Sequence, residues 1–185
     1  MSTKQRCEWV TQDQFYQNYH DNEWGIPLYD EHLLFELLIL ECMHAGLNWL
    51  LILKKRNNYR ECFDNFDTNK IIHYDNTKIE QLMTNTGIIR HKLKINSIIH
   101  NSHAFLNIKQ KYGNFSDYIW SFVNGKPIKN HWKNYNEVPS TSDISDLMSI
   151  DLKKHGFKFI GSTTCYAFMQ ASGMVNDHTI NCYCY

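Results

Sequence analysis

The chain has 185 residues, 43% of them hydrophobic and 14% aromatic, and its 19 Lys+Arg are balanced by 19 Asp+Glu. This is enough for one compact domain with a real core, or two small lobes sharing one, and it excludes a disordered or low-complexity chain. The balanced charge excludes a nucleic-acid binder that works through net basicity, so any such contact must come from local patches.

The opening MSTKQRCEWV has no apolar run and no cleavage pattern, and does not read as a signal peptide. The next segment, CEWVTQDQFYQNYHDNEWG, crowds Trp9, Phe15, Tyr16, Tyr19 and Trp24 into a short span. Tyr16 and Tyr19 are three apart, which places them on one helical face. Such a cluster serves a core. Beside a buried anion it also suits a flat cationic ligand, through stacking, cation–π attraction and a charge-assisted hydrogen bond.

Asp30 is a plausible N-cap for a helix over 31 to about 45. Leu34, Leu37, Leu38, Glu41 and Ala45 share one face of it, and Leu33, Phe35, Ile39, Leu40 and Cys42 leave little polar surface elsewhere. Glu36 and Glu41 are five apart, roughly 140° around the axis, and one narrow solvent stripe does not take both. One is expected to face inward, and Glu41, beside the break at HAGLNW, is the better candidate. A buried carboxylate is costly unless paired, which makes Glu41 a site candidate; the alternative is an exposed helix end with Glu41 solvated. The apolar run LLFELLILECM is too short for a membrane span and carries two glutamates. A cytoplasmic protein is expected, with its six cysteines as thiols or metal ligands rather than a disulfide framework.

A second helical run, NWLLILKKRNNYRECF, follows Gly46 and carries Lys54, Lys55, Arg56 and Arg60. Asp67 and Asn76 are expected to open two short helices. IIRHKLKINSIIHNSHAFLNIKQKY reads as one long helix with Ile88, Ile95, Ile98, Ile99 and Phe105 inward. Its start, after Gly87, holds Arg90, Lys92 and Lys94: a glycine turn before a helix N-terminus offers amides to a phosphate, and the cations add sequence-independent attraction. Taken alone, the same basic runs read as solvated helix faces. Ser116 can cap DYIWSFV, residues 124–141 form the longest irregular connection, and DISDLMSIDLKKHGF and STTCYAFMQASG supply two more helices, the last ended by Gly173. FKFI is too short to carry a sheet. The expected fold class is all-α.

The tail NDHTINCYCY sets His178 and Cys182 four apart. With Cys7 and His20 near the other end they would make a Cys₂His₂ set, suited to tetrahedral zinc and neutral overall once both thiols ionise. The usual finger spacings are absent, Cys184 competes with Cys182, and a free thiol in a loose tail is the alternative.

Taken in order, YHDNEWG, HAGLNWLLILKKRNNYR, GIIRHKLKI, WSFVNGKP, LKKHGFKFIG and NDH…C resemble the 3-methyladenine DNA glycosylase I family of bacteria over nearly the whole chain. The resemblance implies a helix-hairpin-helix DNA glycosylase fold, one unit over residues 1–185 with two helical lobes. A structural zinc on Cys7, His20, His178 and Cys182 would join the terminal segments. It implies a base pocket of Glu41 with Tyr16, Tyr19 and Trp49 as walls and Trp9 and Trp24 nearby, in which Tyr19 and Trp49 sandwich the base. Gly46 and Leu47 would enter the gap in DNA, and Gly87, Arg90, Lys92 and Lys94 would form the hairpin contact. The implied activity is hydrolysis of the N-glycosidic bond of 3-methyladenine in double-stranded alkylated DNA by a monomer, releasing free 3-methyladenine without strand cleavage, with Glu41 as the key carboxylate. A zinc-stapled DNA-binding module without catalysis is the alternative. Two departures stand out. Asn48 replaces a serine common in the family, and IGSTTC has no counterpart of the wider superfamily's catalytic aspartate, which this branch lacks.

Overall fold

Short polar side chains set where the helices begin. A computed structural model describes residues 4–185. In it Asp13 accepts from the Phe15 amide to open α1 (Gln14–Asn22), Asp30 from Leu33 to open α2 (Glu31–His44), and Asn48 from Leu50 to open α3 (Trp49–Cys62). Asp67 and Asp75 do the same for α4 (Thr68–Ile71) and α5 (Asn76–Thr84). The His91 ring caps α6 (Lys92–Tyr112) and Asn114 caps α7 (Phe115–Ser121). Ser142 and Ser145 close a capping box on α8 (Asp143–Lys154), and α9 (Ser162–Ala171) runs into Gly173.

Three of these starts differ from the sequence expectation. The long helix begins at Lys92, because residues 85–91 form a turn: the Gly87 amide donates to Asn85 Oδ1 at 2.7 Å and the Ile89 amide to the Tyr59 hydroxyl at 3.1 Å. Ile88 still points inward, at 2% exposure. Asp75, one residue before Asn76, caps α5. Asn114 rather than Ser116 caps α7, accepting from the Asp117 amide at 2.6 Å. The segment 124–141 is irregular as expected, except for a 3₁₀ turn at Tyr135–Glu137 and β1 (Ile128–Lys129), which pairs in parallel with β2 (Val175–Asn176). A two-residue strand has no period to detect.

The apolar-all-round α2 runs through the centre, packed by α3, α6, α7 and α9, and Leu34, Phe35, Leu38, Ile39 and Met43 on it are fully buried. A smaller apolar cluster of Cys7, Tyr19, Trp24, Leu53, Ala171 and Cys182 joins α1 to the C-terminal segment. No helix among the described residues is long and apolar enough to cross a membrane. Gly173 makes the close approach between α9 and the segment before α2: its φ is +71°, and a Cβ there would lie 2.3 Å from the Ile26 carbonyl carbon. Gly173→Ala adds left-handed strain to a backbone clash, and a loss of at least about 2 kcal/mol is expected in denaturant unfolding.

Candidate functional site

Four elements converge on one cavity of about 300 Å³. The N-terminal segment and α1 supply Trp9, Tyr16, Tyr19 and, just past the helix, Trp24; α2 supplies Glu41 and His44; the following turn gives Leu47 and Asn48; α3 starts with Trp49. Tyr135, Ala167 and Gln170 close the far side. The aromatic rings are inclined to one another rather than parallel, with Trp9 4.9 Å from Tyr16 at a tilted 59° and 5.0 Å from Trp24 edge-on at 71°. Tyr19 and Trp49 are 5.5 Å apart at 52°, a tilted contact and not a slot with room for a third ring. The expected sandwich therefore requires these two side chains to part. Trp49 Nε1 is a buried donor with no partner among the described residues.

Glu41 is buried, at 4% exposure, but so is Glu36, at 5%, so both glutamates face inward rather than one. The difference lies in their partners. Arg60 from α3 clamps Glu36 through Nε at 3.0 Å to each oxygen and Nη2 at 2.7 Å, a bidentate pair that makes burial tolerable. Among the described residues Glu41 has one side-chain hydrogen-bonding partner, His44 Nδ1 at 3.2 Å from Oε2. Burial pushes the Glu41 carboxyl above the usual carboxylate range, and His44 opposes that rise. Glu36 is thus a structural ion pair, and Glu41 is a carboxylate left facing an aromatic cavity.

The expected DNA-contacting residues separate into two groups. Gly46, at φ +78°, and Leu47, 38% exposed, form the protruding turn after α2. Arg90 and Lys92 are exposed at the start of α6, and Gly87 sits in the turn that joins α5 to α6. Lys94 departs from the expectation. It is buried, and its ammonium donates at 2.8 Å to the carbonyls of both Met43 and Ala45, closing the C-terminal end of α2. It is not part of the exposed basic face. Lys94→Met would strand both carbonyls, so a loss of about 2 kcal/mol is expected, read as a fall of about 4–8 °C in Tm. The basic run on α3 is engaged by contacts within the protein at its surface: Lys54 with Asp13, Lys55 with the Thr86 carbonyl, Arg56 with Glu23 and Arg60 with Glu36.

Cys7, His20, His178 and Cys182 meet beside the pocket's aromatic cluster, with Trp9 5.3 Å from His20 and Trp24 4.7 Å from His178, all four buried and with one ligand atom from each within 4.8 Å of the others. Both histidines turn Nε2 toward the group. His20 Nδ1 is engaged by Asp21 at 2.9 Å, which Arg6 holds by two bonds of 2.8 and 2.7 Å. His178 Nδ1 is engaged by Asn176 Oδ1 at 3.0 Å, leaving its Nε2 buried without a partner. Fixing the far nitrogen selects the tautomer a metal needs. Burial and His20 push the His178 pKa down to about 4, so its ring is neutral. The hydrogen bond between the two thiols lowers the pKa of Cys7 and raises that of Cys182, as expected for a pair sharing one proton. Cys184 shares a second grouping with His20 and Asp21, but Asp21 is committed to Arg6, and the Cys184 amide donates to Cys182 Sγ at 3.4 Å.

Sequence reasoning missed His44, Tyr135, Ala167 and Gln170 in the cavity lining. His44 had a usable signal, lying three residues after Glu41 on one helix. Tyr135 lies in an irregular connection and had none.

The sequence model of the methyladenine glycosylase family matches residues 9–185. DNA-3-methyladenine glycosylase 1 of Escherichia coli (strain K12) is 49% identical over 181 residues, covering 98% of this chain and 97% of that protein. DNA-3-methyladenine glycosylase of Haemophilus influenzae (strain ATCC 51907 / DSM 11121 / KW20 / Rd) is 48% identical over 179 residues, covering 97% of each. A crystal structure of 3-methyladenine DNA glycosylase I matches with a TM-score of 0.96 at 49% identity, covering 98% of this chain and 100% of that one. The Staphylococcus aureus structure that describes 3-methyladenine recognition matches at 0.94 and 41% identity, covering 96% and 95%.

Proposed function

Because the chain belongs to the methyladenine glycosylase family, we propose that it hydrolyses the N-glycosidic bond of 3-methyladenine in double-stranded alkylated DNA and releases the free base. The observation that carries this reading is Glu41, a buried carboxylate with no lysine or arginine against it, set among aromatic rings. A methylated adenine in DNA is cationic and already a good leaving group, so the protein has to extrude it and hold it in preference to the neutral base. In this reading Glu41 attracts the charge and accepts from the polar edge of the base, while Tyr16, Tyr19 and Trp49, with Trp9 and Trp24 behind them, supply flat apolar surface. Adenine gains less in the same pocket because it lacks the charge. No lysine lines the cavity, which supports a monofunctional hydrolase without strand cleavage over one that passes through a Schiff base.

Gly46 and Leu47 enter the space the flipped nucleotide vacates. The α5–turn–α6 unit is the DNA-binding hairpin, with Gly87, Arg90 and Lys92 at the phosphates. The donor set at Cys7, His20, His178 and Cys182 fits zinc, since two sulfurs and two imidazole nitrogens match its tetrahedral preference and His178 Nε2 is a buried atom otherwise without a partner. Such a metal would be structural, since four protein ligands leave no open position. The chain acts as one unit over 1–185 with two helical lobes, as a monomer, in the cytoplasm. Release of 3-methyladenine from methylated duplex DNA tests the proposal, and DNA binding without base release would replace it with a non-catalytic module.

A further inference from the structure

Among the described residues, His44 makes the one side-chain hydrogen bond to Glu41. Its Nδ1 lies 3.2 Å from Glu41 Oε2, its ring packs edge-on to Trp49 at 5.4 Å, and it lines the cavity beside Leu47 and Tyr135. An ionised carboxylate only accepts, so with Glu41 ionised this contact assigns a proton to His44 Nδ1, as the Nδ1–H tautomer or an imidazolium. One Glu41 oxygen is thereby occupied, which leaves the other for a ligand.

The other ionisable groups around this pair do not share the task. From α1, Tyr16 and Tyr19 are neutral phenols whose ionisation burial and the Glu41 charge oppose. The 3₁₀ turn presents Tyr135, and α3 and α9 present Trp49, Ala167 and Gln170, whose side chains carry no ionisable group. Cys42 on α2 is a buried thiol pushed up beyond the range in which it ionises. Lys94 of α6 is held by the carbonyls of Met43 and Ala45. Burial and His44 are the causes acting on the Glu41 carboxyl.

We propose that His44 is a positioning residue that keeps Glu41 ionised and oriented in the base pocket through its Nδ1–H. This rests on the base-release reading above. The sign follows from the two opposed causes. Burial favours the protonated acid, and a donor on Oε2 favours the carboxylate, so removing the donor lets Glu41 protonate at higher pH. The cationic nucleotide in DNA carries its charge irrespective of pH, so the acid limb of kcat/KM reports the enzyme.

The test is a ¹³C NMR titration of the Glu41 carboxyl in the free protein, paired with the pH profile of base release, for wild type, His44→Ala and His44→Asn. Asn Nδ2 can occupy the place of His Nδ1 without titrating. Both the Glu41 titration and the acid limb should move to higher pH in His44→Ala by about half a unit or more, a threefold change in the protonation constant. His44→Asn should recover most of the shift. A Glu41 titration unmoved in His44→Ala, or an Asn variant no better than Ala, overturns the proposal. A wild-type protein that releases no base at any pH would instead sink the glycosylase reading, and the NMR titration would still decide the role of His44.

Discussion

Glu41→Gln is expected to lower kcat/KM for 3-methyladenine release by at least about 100-fold, the scale seen when one preorganised charge-stabilising group is removed, and to raise the melting temperature. The two effects have one cause. Glutamine keeps the shape and one acceptor but removes a charge that is buried, at 4% exposure, with only His44 beside it. An isolated buried charge weakens the empty protein, and the same charge attracts the cationic base. Single-turnover release from methylated duplex DNA measures the first effect and thermal unfolding the second. Full activity in the variant would remove Glu41 from the mechanism. Lost activity with a lower melting temperature would show that the side chain serves the fold. Glu36→Gln makes the contrast, because it breaks the bidentate pair with Arg60 and should cost stability.

Removing metal from the Cys7, His20, His178 and Cys182 group is expected to lower Tm by about 10 °C or more, with activity following the loss of folded protein. A metal there would tie residues near both ends of the chain, and clips that close long loops restrict the unfolded ensemble most. Without it, Nε2 of His178 is buried with no partner among the described residues and two buried thiols face each other. At about 2–4 °C per kcal/mol for a chain of this size, a loss of about 4 kcal/mol gives a shift of this order. Dialysis against a chelator with metal analysis, followed by calorimetry, measures it. An unchanged Tm after verified metal loss would contradict the assignment. Activity that vanishes while the protein remains folded would give the metal a part in the chemistry.

Most of the helices were legible because each has a short polar cap before an apolar period, as with Asp30 ahead of α2. The errors came from groups whose partners lie far along the chain. The helix wheel placed one of Glu36 and Glu41 inward. Both are inward, because Arg60 arrives from α3 and makes a second buried carboxylate tolerable. Lys94 looks like one more cation in a basic run until α2 is seen to end against it. The turn at 85–91 was read as helix because Ile88 keeps the apolar period, whereas Asn85 and Tyr59 take up the amides that would start it. The Cys/His group was open to several pairings from spacing, the resemblance selected one, and the fold brings those four side chains together.

The backbone at the two ends is also joined, since the Tyr183 amide donates to the Gln5 carbonyl at 2.9 Å. A ribosome makes α1 before the residues that hold it, His178 and Cys182. Throughout that interval Trp9, Tyr16, Tyr19 and Trp24 lack the C-terminal cluster that covers them in the finished protein. The growing chain therefore carries an exposed aromatic segment, the kind of surface that folding helpers hold and that aggregates when left alone. The last pocket-lining residue to be made, Gln170, precedes the residues that complete the Cys/His group.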